Sequence, residues 1–174
     1  YQESDQIMES ALPSLMLAFI LLAANAFFVA AEFALVKAKG FRIESAAEAG
    51  SKAAQRTVRI QKNLEPYLAA CQLGITMASL GLGWVGEPTV AALLTPVLEP
   101  LALSENALHT VAFIVGFLVF SSLHIVVGEQ VPKTLAIRKP EAMSLAIALP
   151  LQITYVVFFP LTWVLNKASA TILR

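Results

Sequence analysis

The sequence predicts an all-α membrane protein with three transmembrane helices. Three observations carry that expectation. Of the 174 residues 57% are hydrophobic and only 14% charged, the mean hydropathy is +0.72, and long apolar runs alternate with short polar segments. Soluble domains carry roughly a quarter charged residues. A net charge of zero and the lack of a basic–aromatic patch give no case for nucleic acid. The single cysteine, Cys71, excludes an internal disulfide and reads as a small buried residue.

Residues 1–10 are polar and acidic, with Glu3, Asp5 and Glu9 and no Lys or Arg. Pro13 opens an apolar run over 13–36, about the 20 residues a spanning helix needs. It is too long, and lacks the basic start, for a cleaved signal peptide. Residues 37–63 hold seven of the twelve basic residues: Lys37, Lys39, Arg42, Lys52, Arg56, Arg59 and Lys62. They predict two short helices over 40–63, broken at Gly50. Phe41, Ile43, Val58 and Ile60 give these a partly apolar face suited to the membrane surface.

Pro66 starts a second run, 66–86, with Gly74, Gly81, Gly83 and Gly86 to let helices approach closely. Residues 87–105 hold Glu87, Glu99 and Glu105 and the prolines 88, 96 and 100, which predict a helical hairpin or loop on the outer side. The third run spans 107–128 and leads to an expected turn at Pro132-Lys133. A fourth helix, 142–170, contains Pro150 and Pro160 and is expected to be kinked by them. Trp84 and Trp163 suit interface anchors. The end at Ile172-Leu173-Arg174, with no polar tail, leads to the expectation of a membrane domain taken from a longer protein.

Charge parity orients the chain. Lys and Arg mark the cytoplasmic side; residues 1–10 and 87–105 have none, 37–63 has seven and 133–139 has three. Three spans follow, with the N-terminus outside. A fourth crossing would carry Lys167 and Arg174 outward, so 142–170 is expected to lie as a juxtamembrane belt that keeps the C-terminus cytoplasmic. The expected location is the cell's inner (plasma) membrane.

Ionisable and polar groups at membrane depth point to function. Asn25 and Glu32, seven apart, share a helix face. Gln72, Thr76, Ser79 and Gly83 form a stripe on the second span. Ser121, His124 and Gly128 follow one face of the third, with Ser122 and Glu129 beside them. Three such stripes imply one interior site. Carboxylate, amide, hydroxyl and backbone oxygens suit a hard cation such as magnesium, calcium or sodium. Gly128 and Pro132 mark where the helix ladder fails and could free a carbonyl. Plainer readings stand beside this one. Asn25 and Gln72 suit interhelical hydrogen bonds, Glu32 could pair with Lys37, and His124 reads as a hydrogen-bonded packing residue. No His-Glu-x-x-His and no Ser/His/Asp set is present, so no enzyme is expected.

Gly128-Glu129-Gln130-Val131-Pro132-Lys133-Thr134 resembles the Gly-Glu-x-x-Pro-Lys signature of the CorC/CNNM membrane domain. Residues 25–35 (Asn25-Ala26-Phe27-Phe28-Val29-Ala30-Ala31-Glu32-Phe33-Ala34-Leu35) are similar to its first-helix motif, and 72–83, from Gln72-Leu73-Gly74 to Gly81-Leu82-Gly83, to the second-helix motif of its bacterial branch. The resemblance implies a homodimer of three-span subunits with a belt helix. It also implies magnesium transport through a dehydrated ion site, mainly export, with sodium as a coupling ion. A non-transporting magnesium sensor or membrane scaffold is the alternative. The implied metal set is Asn25, Gln72 and Glu129 with backbone oxygens near Val29 and Gly128; Glu32, Thr76, Ser79, Ser122, His124, Pro132 and Lys133 would surround it. Nucleotide is expected only in cytosolic CBS domains of longer members. CNNM-type members have Ser-Gly-Ser where this chain has Val29-Ala30-Ala31, so the hydroxyls are missing there.

Overall fold

The computed structural model describes residues 2–101 and 104–172. Leu173 and Arg174, used above to read the chain's end, lie outside the described residues, as do Ala102 and Leu103 of the 87–105 segment. All regular structure among the described residues is helical. Four stretches, Ala11–Lys37, Leu64–Leu101, Glu105–Arg138 and Pro140–Ile172, are long and apolar enough to cross a bilayer. The chain divides into two compact units, Tyr1–Asn25 with Met77–Gln130 and Ala26–Thr76 with Val131–Arg174.

The first unit contains the start of α1 (Gln2–Lys37), the later part of α4 (Leu64–Leu98), a 3-10 turn at Glu99–Leu101, α5 (Glu105–Leu123) and a π-helical segment, His124–Gln130. Its core is small: Ala18, Leu82 and Phe120, with Leu21, Leu22 and Val90 against them. Glycines make the close contacts. A Cβ on Gly86 would fall on the Phe120 ring, and one on Gly116 would come within 3.0 Å of the Ala91 backbone nitrogen. Lipid offers apolar side chains no worse a home than protein does, so such close approach is what holds membrane helices together.

Two expectations are corrected in this unit. Residues 87–105 were expected to form a helical hairpin or loop; α4 instead continues through Pro88 and Pro96 to Leu98, and the chain turns only from Glu99 before α5 begins at Glu105. Thr89 and Thr95 donate their hydroxyls to the carbonyls of Val85 and Ala91, one turn back, beside the two prolines. Hydroxyls of this kind help a membrane helix tolerate proline. The expected turn at Pro132-Lys133 is also absent, because the chain passes from the π segment straight into α6 (Val131–Arg138). Pro132, which has no N–H to give, falls where the winding changes from π to α.

The second unit joins the end of α1, α2 (Gly40–Glu48), α3 (Lys52–Lys62), the start of α4, α6 and α7 (Pro140–Ile172). The break at Gly50 is as expected. Gly50 has φ 94°, and the N–H groups of Gly50 and Ser51 donate to Ala47 and Ala46, a helix end that favours glycine. Ser51 then caps α3, its hydroxyl accepting from the Ala54 N–H at 3.3 Å. Thr57 Oγ1 donates to the Ser144 carbonyl at 3.3 Å and Gln61 Nε2 to the Ala38 carbonyl at 3.3 Å, tying the hairpin to α7 and to the end of α1. The core is alanine-rich: Ala30, Ala31 and Ala34 of α1 pack with Tyr67, Cys71, Ala136 and Leu151. Cys71 is fully buried, as expected. α7 is helical without interruption through Pro150 and Pro160.

Candidate functional site

The π segment decides the local chemistry. In α-helical register the carbonyl of Gly128 would accept from residue 132, and Pro132 has no N–H to give. That carbonyl instead accepts from Asn25 Nδ2 at 3.0 Å. Asn25 is fully buried, and its Oδ1 accepts from Ser79 Oγ at 3.2 Å. Both halves of one amide are thereby used, and α1, α4 and the π segment are tied at a single side chain. Gly128 is buried because nothing larger fits: a Cβ there would lie 2.8 Å from His124 Cδ2, 3.1 Å from Asn25 Nδ2 and 3.1 Å from Leu22 Cδ1. Glu129 stands next in sequence, its side chain 44% exposed, with Oε1 3.9 Å from His124 Nε2. That separation is too long for a hydrogen bond. The His124 Nε2 is buried with no hydrogen-bond partner, so the expected hydrogen-bonded histidine is not formed at this nitrogen.

Asn25, Ser79, His124, Gly128 and Glu129 thus come together within the first unit. Ser122 of the same unit is exposed. The donors are an amide oxygen, a hydroxyl, a backbone carbonyl and a carboxylate. This set suits a hard, oxygen-seeking cation and offers no thiolate for a soft one. Among the described residues, no three His, Cys, Asp or Glu side chains cluster as a metal site.

The remaining predicted residues belong to the second unit. Val29 is buried in the middle of an uninterrupted α-helix, beside Ala30 and Ala31 in the packed face. Glu32 is half-buried and Pro132 buried, and Lys133 Nζ lies 4.6 Å over the Phe33 ring. Gln72 and Thr76 are exposed and line a crevice of about 340 Å³ with Thr162, Asn166 and Ser169 of α7. These three α7 residues were missed in the sequence. Their spacing of four and three, matching one helix face, was the signal that could have found them.

Relatedness accords with these observations. The family described as the cyclin M transmembrane N-terminal domain matches residues 16–174. The chain is 46% identical over 156 residues to the UPF0053 protein YhdT of Bacillus subtilis, covering 90% of this chain and 34% of that protein. It is 42% identical to YhdP of the same organism, covering 90% and 35%. It is 36% identical over 163 residues to the uncharacterized protein Rv1841c of Mycobacterium tuberculosis, covering 94% and 46%. The chain spans about a third of the length of the Bacillus relatives it matches. With its Gly-Glu-Gln-Val-Pro-Lys segment on a π-helical break tied to the first helix, the chain belongs to the cyclin M (CNNM) transmembrane-domain family.

Proposed function

We propose that this chain is the membrane part of a magnesium transporter and that Glu129, Asn25, Ser79 and the Gly128 carbonyl form its ion site. The observation that carries the reading is the meeting of three helices at Asn25, beside a carboxylate, in a unit whose sequence contains no Lys or Arg. A dehydrated ion would take the Gly128 carbonyl and Asn25 Oδ1 in exchange for the hydrogen bonds they now accept. Magnesium demands near-octahedral oxygen ligation and loses water reluctantly, so it needs such fixed groups. One carboxylate leaves a bound divalent ion with net positive charge, which exchange against a monovalent ion would reset; sodium as that ion and the export direction rest on the family resemblance alone. The topology we propose has three spans, an outward N-terminus and α7 as a membrane-plane belt in a homodimer. It rests on the placement of Lys and Arg and on the family resemblance.

Isothermal titration of the purified chain with magnesium tests the site. Glu129→Ala and Asn25→Ala should each weaken binding at least about tenfold, the effect of losing one ligand worth about 1.4 kcal/mol. Unchanged affinity in both would overturn it. Gln72→Ala in the same titration tests the ligand that the resemblance adds. Magnesium flux into proteoliposomes separates a transporter from a sensor or scaffold, which would bind the ion and pass none.

A further inference from the structure

The α2–α3 hairpin carries charge that the candidate ion site does not use. Residues 37–63 hold seven basic side chains against two acidic ones, Glu44 and Glu48, a net +5. One face of α3 is committed to packing, with Ala54, Thr57 and Ile60 buried. Lys52, Arg56 and Arg59 are spaced by four and three and centre about 135° round the helix from that face, at about 100° per residue. Among the described residues, no carboxylate pairs with these three within 4.0 Å, whereas Arg42 has Glu141 at 3.8 Å. Apolar groups are exposed in the same basic stretch: Phe41 of α2, with Arg42 over its ring, is 63% exposed, and Val36 at the end of α1 59%. Cations flanking an exposed aromatic, at the end of a helix long and apolar enough to cross a bilayer, match a charged interface with an acyl layer under it.

We propose that the α2–α3 hairpin is a binding surface for the headgroups of anionic phospholipids. Juxtamembrane clusters of four to eight Lys and Arg are drawn to anionic lipid surfaces, and each cation near the surface strengthens the attraction about fivefold. A soluble acidic protein would satisfy the charges but would leave Phe41 and Val36 in water. The inference rests on the membrane location and not on the transported ion.

The test is native mass spectrometry of the purified chain titrated with dioleoylphosphatidylglycerol or dioleoylphosphatidylcholine. Phosphatidylglycerol should bind at least about tenfold tighter, less so as salt rises. The variant Lys52→Gln/Arg56→Gln/Arg59→Gln should bring the two lipids within about twofold of each other, and the charge-keeping Lys52→Arg/Arg56→Lys/Arg59→Lys should retain the preference. Equal binding of both lipids by the unaltered chain, or a preference that survives the glutamine variant, overturns the proposal. Loss of preference in both variants does so too, since charge would then not be what is read. Capture of poly-glutamate without lipid preference would assign the surface to a soluble acidic partner and overturn it as well.

Discussion

The two units carry opposite charge and are held together by different means. The unit of Tyr1–Asn25 and Met77–Gln130 has no basic residue and seven acidic ones, a net −7; the unit of Ala26–Thr76 and Val131–Arg174 has twelve basic and five acidic, a net +7. Among the described residues, the first has a buried apolar cluster of three residues, glycine contacts and one buried amide network. The second has an alanine-lined core of eleven residues and hydrogen bonds that clamp a polar hairpin. The difference teaches where each job can sit. On the reading proposed above, the acidic unit is the one suited to a cation and the basic unit the one suited to acidic headgroups, so neither role calls for the other's charges.

Substitutions in either unit can break this contrast. In Gly74→Ala the new Cβ would sit 2.5 Å from the Phe28 ring, which Phe27 and Phe158 hemmed at 5.2 and 6.0 Å keep from moving. We expect a loss of about 3 kcal/mol, the upper range for overpacking, read as a lower thermal midpoint by size-exclusion chromatography of heated protein. Asn25→Leu removes the donor to Gly128 and the acceptor of Ser79 at once. It should cost about 2 kcal/mol by the same assay, since interhelical hydrogen bonds in membranes are each worth up to about 1.7. Thr57→Val leaves the Ser144 carbonyl without its side-chain partner. About 1 kcal/mol is expected, appearing as faster deuterium exchange across Lys52–Lys62. Arg42→Gln removes a 3.8 Å pair whose arginine is 61% exposed, and less than about 0.5 kcal/mol should follow. If Thr57→Val cost more than Asn25→Leu, the first unit would not depend on its amide as argued.

Much of this was legible in the chain, and the reasons differ by residue. The four apolar helices follow from composition, and the break at Gly50 from the one residue type that enters left-handed φ cheaply. The interhelical bond of Asn25 was legible because polar atoms at membrane depth must find partners, and the Gly128 carbonyl is one. The continuation of α4 past Gly86 was not, since Pro88, Pro96 and three glutamates read as loop while the threonine hydroxyls that sustain the helix leave no periodic trace. Nor was the separation within the Gln72–Gly83 stripe. Ser79 turns to Asn25, while Gln72 and Thr76 border α7, because a stripe of twelve residues outlasts any one neighbour.

The π segment also fixes a phase. Ala112, Gly116, Phe120 and Gly128 are buried at intervals of four or eight, and each step of four overshoots a full α-helical turn by about 40°. The precession carries the contact from Ala91 of α4 at Gly116 to Asn25 of α1 at Gly128. The wider winding of His124–Gln130 works against that drift, like a vernier set one notch back. With one residue fewer there and the winding unchanged, Glu129 would stand in place of Gly128 opposite Asn25, where even a methyl group does not fit. In this part of the chain the count of residues is under tighter constraint than their identity.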